Sequence, residues 1–441
     1  MRLRVAVPAR GRRRFACYMI ERPLLRFSDL SHVTATTTPT LFITQDFPPD
    51  RGGIARLYGE ICKRIPSLHV STVAAQDATT PDGPEIHRMS FGMRAAHRPV
   101  NILKWTRWAH RFVTRHDVAL VHAGNVRPSG YVAAMLRRQL GIPYIVYVHG
   151  KDLLKEFRKG ANRWMVRAGT REILGNAAAI IANSATTAGL AKELLRRVGA
   201  AHAVDRVHVI HPGADPARFT RALEETRRNR GTQRERPQLL SVARLIPRKG
   251  IDTVIESLPS VLAVHPTTRY VVVGCGPDQP RLEQLAQHVG VTEHVEFVGD
   301  VPDDLLPARY ASADVFLLPT RVIPEDDEIE GFGIAYVEAA AAGVPSIAAD
   351  VGGVADAVAD GVTGLLVPPG SPDAVASATL RLLGDPALRA RLGDAARAEV
   401  ERSLNWDRAA HAVMGVVAAL MSPAAAPNES RARAIPAGTA P

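Results

Sequence analysis

The chain has 441 residues, of which 46% are hydrophobic, and a formal net charge of +11 that comes mostly from arginine. That length predicts two domains, and no apolar run reaches the roughly 18 residues that span a bilayer. Cys17, Cys62 and Cys275 lie too far apart for a metal spacing or a disulfide framework, which fits a reducing cytosol. The charge suits nucleic acid, anionic lipid or phosphorylated substrates. Nucleic acid is set aside, because no zinc-finger spacing, aromatic-basic strand or basic zipper accompanies the charge.

In chain order, residues 1–38 are Arg-rich at the start and lack both periodicity and the apolar core of a signal peptide. They are expected to lie outside the fold, as a flexible extension or because the chain starts later, at Met19. Beyond them apolar strands alternate with amphipathic helices, the pattern of a doubly wound α/β protein. Strands are predicted at Leu41–Thr44, Ala119–His122, Tyr144–Val148, Ala179–Ala182, Val207–Ile210, Leu239–Val242, Tyr270–Val273, Val295–Val298, Val315–Leu318 and Ser346–Ala348. The charged stretch Thr220–Pro237 has no apolar stripe and reads as a surface connection between two Rossmann-like halves. Residues 422–441, rich in Ala, Pro and Arg, read as a disordered tail.

Ligands of such sheets bind at the carboxyl ends of strands. The first strand runs into Gln45-Asp46-Phe47-Pro48-Pro49-Asp50-Arg51-Gly52-Gly53-Ile54 and then a helix, so Gly52 and Gly53 form either a plain turn or a helix start that faces an anion. Asn101–His116 reads as a basic amphipathic helix, suited to an anionic membrane surface or to packing on the sheet with a solvated face. His149 ends the strand Tyr144–Val148. In the second half, Arg244 ends a strand and Lys249 opens a helix, a planar fork and a point charge that together would hold a diphosphate; a solvated basic loop is the alternative. Gly274-Cys275-Gly276-Pro277 makes a tight turn without being a dinucleotide fingerprint. The acidic loop Pro324–Glu328 reads as an exposed loop rather than a metal site.

The run Ile329-Glu330-Gly331-Phe332-Gly333-Ile334-Ala335-Tyr336-Val337-Glu338 carries the most information. Its glycines allow close backbone approach, and its helix start offers N–H groups to an anion. Glu338 falls at the edge of the apolar stripe, where a carboxylate is costly unless hydrogen-bonded.

Glu330, seven intervening residues and Glu338 resemble the retaining glycosyltransferases of family 4. The resemblance implies a GT-B fold, with two Rossmann-like domains facing each other across a cleft. Residues 39–212 would bind the acceptor, 213–403 the nucleotide-sugar donor, and Leu404–Met421 would cross back onto the first domain. By the same resemblance Arg244 and Lys249 bind the donor diphosphate, with Gly52 and Gly53 facing it. Glu338 binds ribose, Glu330 with the Gly331–Gly333 backbone holds the sugar while the glycine turn sits against the diphosphate, Phe332 and Ile334 belong to the donor-binding set, and Gly274 and Val298 lie near the base. His149 reaches the transferred sugar and joins Glu330, Arg244 and Lys249 as the catalytic set, while Asp46 and Asp152 are acceptor-facing candidates.

Within the family, the match through Asp46–Ile54, Arg244–Asp252 and Ile329–Ala342 is to mannosyltransferases acting on phosphatidylinositol mannosides. This implies a retaining hexosyltransferase of cell-envelope biosynthesis that uses no metal or other cofactor. Its donor would be GDP-mannose first and UDP-sugars next, and its acceptor a glycolipid or polysaccharide precursor. It would work in the cytoplasm, in peripheral contact with the anionic inner face of the membrane. A nucleotide-sugar epimerase of the same fold, or a non-enzymatic basic protein that binds membrane or nucleic acid, are the alternatives.

Overall fold

Runs such as Tyr144-Ile-Val-Tyr-Val148 are apolar at every position, which suits parallel strands covered on both faces. In the computed structural model, which describes residues 38–50, 52–73, 85–160, 164–230, 236–323 and 328–422, such runs build two parallel sheets. The first contains β1 (Thr40–Thr44), β2 (Leu68–Thr72), β3 (Ile86–Arg88), β4 (Leu120–Ala123), β5 (Tyr144–Val148), β6 (Ala179–Ala182) and β7 (Val207–Val209), in the order β3-β2-β1-β4-β5-β6-β7. The second contains β8 (Gln238–Val242), β9 (Arg269–Val273), β10 (Val295–Gly299), β11 (Val315–Leu318), β12 (Ser346–Ala349) and β13 (Gly364–Val367), in the order β10-β9-β8-β11-β12-β13. Both follow the Rossmann order and reverse direction beside their first strand, which puts a ligand crevice between β1 and β4 and another between β8 and β11.

The ten predicted strands all form, and the sequence reading missed three. β2 interleaves polar His69, Ser71 and Thr72 with its apolar positions, β3 has three residues, and β13 has four and starts with glycine.

Helices connect the strands: α1 (Gly53–Cys62), α2 (Pro99–Arg115), α3 (Ser129–Leu140), α4 (Lys151–Gly160), α5 (Trp164–Gly175), α6 (Ala185–Arg197) and α7 (Pro216–Arg230) in the first half. They continue as α8 (Ile251–Val264), α9 (Gln279–His288), α10 (Leu306–Ala311), α11 (Ile334–Ala341), α12 (Pro372–Gly384), α13 (Pro386–Arg402) and α14 (Trp406–Met421). One face of the first sheet packs on Trp105 of α2, Val132 of α3, Ile173 of α5 and Leu195 of α6. The other packs on Tyr58 and Ile61 of α1, together with Trp406 and Val413 of α14. The last helix therefore returns to the N-terminal lobe, where Asp407 also pairs with Arg64 at 2.6 Å.

The stretch Thr220–Pro237 is not a plain connection. Most of it belongs to α7, which buries Phe219, Ala222 and Leu223 and sets Phe219 against Tyr310 at 5.7 Å. Its apolar face begins one residue before the charged run and uses only two positions inside it, too few to show as a stripe. The expectations for residues 1–37, for 324–327 of the acidic loop and for 423–441 lie outside the described residues. Among the described residues no helix is long and apolar enough to cross a membrane, and no cluster of three His, Cys, Asp or Glu side chains could hold a metal ion.

Candidate active site

β8 ends at Val242, and the chain then turns through Pro247–Lys249 into α8. This short turn presents two adjacent cations to one carboxylate. Lys249 Nζ donates to Glu330 Oε2 at 2.6 Å, and Arg248 Nη1 donates to the same oxygen at 2.8 Å. Burial pushes the Glu330 pKa up, but Lys249 and Arg248 outweigh it and bring the carboxyl down to about 2. Glu330 is therefore ionised at neutral pH, and two cations on one carboxylate leave one net positive charge. Arg248 Nε also lies 3.4 Å from Glu328, which pairs in turn with Lys151 at the start of α4 in the other lobe. Arg244 stands apart from this cluster; it is exposed and makes no hydrogen bond or ion pair among the described residues.

Glu338 is buried on α11 and finds the partners that its position demands. Its Oε2 accepts from the Tyr310 hydroxyl at 2.7 Å, and Oε1 pairs with Arg56 of α1, so this contact also joins the two lobes. Burial lowers the Arg56 pKa, yet Glu338 and the nearby Asp303 raise it on balance and keep the guanidinium charged.

At the carboxyl end of β5, His149 is 9% exposed. Its Nε2 lies 2.5 Å from the hydroxyl of Tyr58, which in turn bonds the Gly124 carbonyl at the end of β4. Burial pulls the His149 pKa down to about 4 against the pull of the nearby Asp46 carboxylate, so the ring is neutral at pH 7. Asp46 itself is raised, chiefly by burial. Asp152 Oδ1 accepts the backbone N–H groups of His149 and Leu153, each at 3.0 Å, and so holds the turn that aims His149. Burial pushes Asp152 up to about 6 against those two bonds. Several buried polar atoms at these strand ends have no hydrogen-bond partner among the described residues: Gln45 Oε1, His149 Nδ1, Asp152 Oδ2 and Asn183 Oδ1.

The glycine run closes the two halves on each other. A side chain at Gly331 would meet the His149 carbonyl at 2.6 Å and the Asn183 amide at 2.8 Å, so only glycine permits this approach. Gly333 takes φ +96°, a conformation that favours glycine, to start α11. Gly52 and Gly53 open α1, and a Cβ on Gly53 would sit 3.6 Å from Ile334 Cδ1, which brings the first predicted loop against the glutamate run. Phe332 is buried and stacks on His211 at 5.4 Å, which leaves its backbone rather than its ring for a ligand. His211 bonds Asp356, which also accepts the Ala185 N–H across the lobes at 2.5 Å. Gly274 packs under the Ala243 carbonyl beside Arg244, and Val298 is half-buried on β10 at the sheet edge.

The family model described as Glycosyltransferase Family 4 matches residues 51–218, and the one described as Glycosyl transferases group 1 matches residues 223–399. The GDP-mannose-dependent alpha-(1-6)-phosphatidylinositol monomannoside mannosyltransferase of Mycobacterium tuberculosis is 32% identical over 375 residues, covering 83% of this chain and 94% of the relative. The chain belongs to the family 4 glycosyltransferases. This glycosyltransferase is also 29% identical to the D-inositol 3-phosphate glycosyltransferase of Acidothermus cellulolyticus, over 83% of the chain and 85% of the relative. Its GT-B fold matches that of Anabaena HepE, solved in complex with UDP and glucose, with a TM-score of 0.67 and 21% identity over 87% of this chain and 100% of that one.

Four residues of this family 4 enzyme escaped the sequence reading: Arg248, Tyr58, Arg56 and Tyr310. Arg248 adjoins Lys249, and a paired-cation turn after a strand could have flagged it. Tyr58, Arg56 and Tyr310 sit in ordinary helices, and their partners lie 91, 282 and 28 residues away along the chain.

Proposed function

We propose that the enzyme transfers a hexose from a nucleotide-diphosphate sugar to an acceptor hydroxyl with retention at the anomeric carbon, with mannose from GDP-mannose as the first donor to test. The observation that carries this reading is the Glu330 cluster, a carboxylate held by Lys249 and Arg248 beside the switch point of the second sheet, with net positive charge left for a diphosphate. The names of the relatives support it, being GDP-mannose-dependent in one case and inositol-directed in the other, as does the UDP-bound neighbour of the same fold.

In this reading Lys249 faces the diphosphate with Arg244 and the open start of α1 at Gly52 and Gly53. Glu338 takes the ribose hydroxyls, and Glu330 with the Gly331–Gly333 backbone takes the sugar. The bond from the anomeric carbon to the phosphate oxygen breaks as the acceptor oxygen bonds the same face of that carbon. The acceptor proton passes to the departing phosphate, and the nearby cations stabilise the developing charge. Fixed cations do what a metal would otherwise do, so no cofactor is required.

The unpartnered atoms around His149 are mostly hydrogen-bond acceptors, which suits a polyol acceptor rich in O–H groups. Helix α2 exposes Lys104, Arg107, Arg111 and Arg115 beside Val100 and Leu103, which suits peripheral contact with an anionic membrane carrying a lipid-linked acceptor in cell-envelope synthesis at the cytoplasmic face.

Thermal unfolding with GDP-, UDP- and ADP-sugars in the absence of metal tests the donor assignment. A ligand at 100 times its Kd stabilises by about 2.7 kcal/mol. Stabilisation by GDP-mannose supports the reading, stabilisation by another sugar nucleotide corrects the donor, and no shift with any of them overturns it. Failure to sediment with anionic liposomes at low salt would remove the membrane contact.

A further inference from the structure

The hydrogen bonds between Tyr58 and His149 admit one arrangement of protons. Tyr58 is fully buried, and its hydroxyl touches both the Gly124 carbonyl and His149 Nε2. A phenol carries one proton and a carbonyl carries none, so the phenol proton goes to Gly124. The phenol oxygen is then an acceptor toward His149, and Nε2 must supply the hydrogen. A neutral imidazole with hydrogen on Nε2 has a bare Nδ1. That Nδ1 is buried and has no partner among the described residues.

We propose that Tyr58 is a positioning residue that holds His149 as the Nε2–H tautomer, so that Nδ1 accepts a hydrogen bond from a hydroxyl of the transferred sugar. This rests on the donor reading above, in which His149 faces that sugar. A phosphate oxygen or a carboxylate facing Nδ1 would set lone pair against lone pair, so the site selects an O–H group there. The turn that aims the ring is tied down by Asp152 through the His149 backbone N–H, and the Gly124 carbonyl, an acceptor close to the ring, favours the same Nε2–H tautomer that Tyr58 holds.

The test uses the full chain labelled with 15N-histidine. A long-range 1H–15N spectrum at pH 7 shows which ring nitrogen carries the hydrogen, and His149→Asn identifies the signal by removing it. The expected result is a protonated Nε2 and a bare Nδ1 in the wild type, with the second tautomer appearing in Tyr58→Phe. The same variant, checked for an unchanged melting temperature, should bind the sugar nucleotide about tenfold more weakly, the size of one hydrogen bond. Its affinity for the nucleoside diphosphate without sugar should not change. A protonated Nδ1 in the wild type, or a Tyr58→Phe variant with the wild-type tautomer and sugar-nucleotide affinity, would overturn the proposal. Equal weakening for the sugar-free diphosphate would overturn the sugar contact and leave a general structural role for Tyr58. Loss of all nucleotide binding in the wild type would instead reject the donor reading, and with it the sugar hydroxyl, whatever the tautomer.

Discussion

The two sheets share one strand order, yet the polar groups at their carboxyl ends are satisfied in different ways. On the C-terminal lobe the two framing carboxylates have charged partners inside the protein: Glu330 has Arg248 and Lys249, and Glu338 has Arg56, with a further hydrogen bond from the neutral Tyr310 hydroxyl. On the N-terminal lobe Gln45, His149 and Asn183 each keep a neutral buried atom without a partner among the described residues, while the Asp152 carboxylate is held by two backbone N–H groups. A buried charge left alone is far costlier than a buried neutral dipole, so the fold must settle its charges before any ligand arrives. Neutral acceptors cost about 1–3 kcal/mol each when unmet, a level the fold can carry where a hydroxyl-bearing ligand or water reaches them. The C-terminal side is thus preorganised by ion pairs, and the N-terminal side is left to be completed by what binds there.

The sharpest attempt to break this contrast is Lys249→Ala. It removes a cation from the C-terminal side, and if Lys249 meets the diphosphate as proposed, kcat/KM should fall by about two to three orders of magnitude, as when one preorganised transition-state contact is lost. Unchanged turnover would mean that Lys249 serves Glu330 alone.

Glu330→Ala should lower folding stability by about 3 kcal/mol in denaturant titration, because Arg248 and Lys249 are left facing each other. Adding Arg248→Ala should recover part of that loss. Strict additivity of the two would show that the pair is not coupled.

Gln45→Ala probes the other lobe, where the contrast predicts that an atom without a partner among the described residues serves a ligand rather than the fold. The melting temperature should stay put, with a stability change within about 0.5 kcal/mol, while the acceptor KM rises by about tenfold, the size of one lost hydrogen bond. A large fall in stability with no change in KM would reverse the assignment.

The smallest expected effect is with pH. A free imidazole titrates near 6.5, but burial holds His149 near 4, so the ring stays neutral between pH 8 and pH 5.5. Its 15N shifts should be flat over that range, and a step near 6.5 would show that the site is wetter than its burial implies.

Much of the fold was legible because buried parallel strands are written locally, as in Tyr144–Val148 or Val315–Leu318, where every position is apolar. The strands that alternate with polar residues or last three or four positions were not, since such runs look like loops. Helix α7 was lost for a related reason, its apolar face being carried by Phe219, Ala222 and Leu223 amid arginines.

In the site, the sequence alone determined that Glu330 and Lys249 stand at turns beside glycines and that Glu338 lies on the helix that follows, because turn chemistry and spacing are properties of adjacent residues. Only the tertiary structure decided that Arg248 shares Glu330, that Arg56 crosses the lobes to Glu338 and that Tyr58 sets the proton on His149. Each of those depends on two side chains meeting from distant segments, and nothing in a helical run such as Gly53–Cys62 tells which of its polar positions will be turned inward until the sheet it covers is in place.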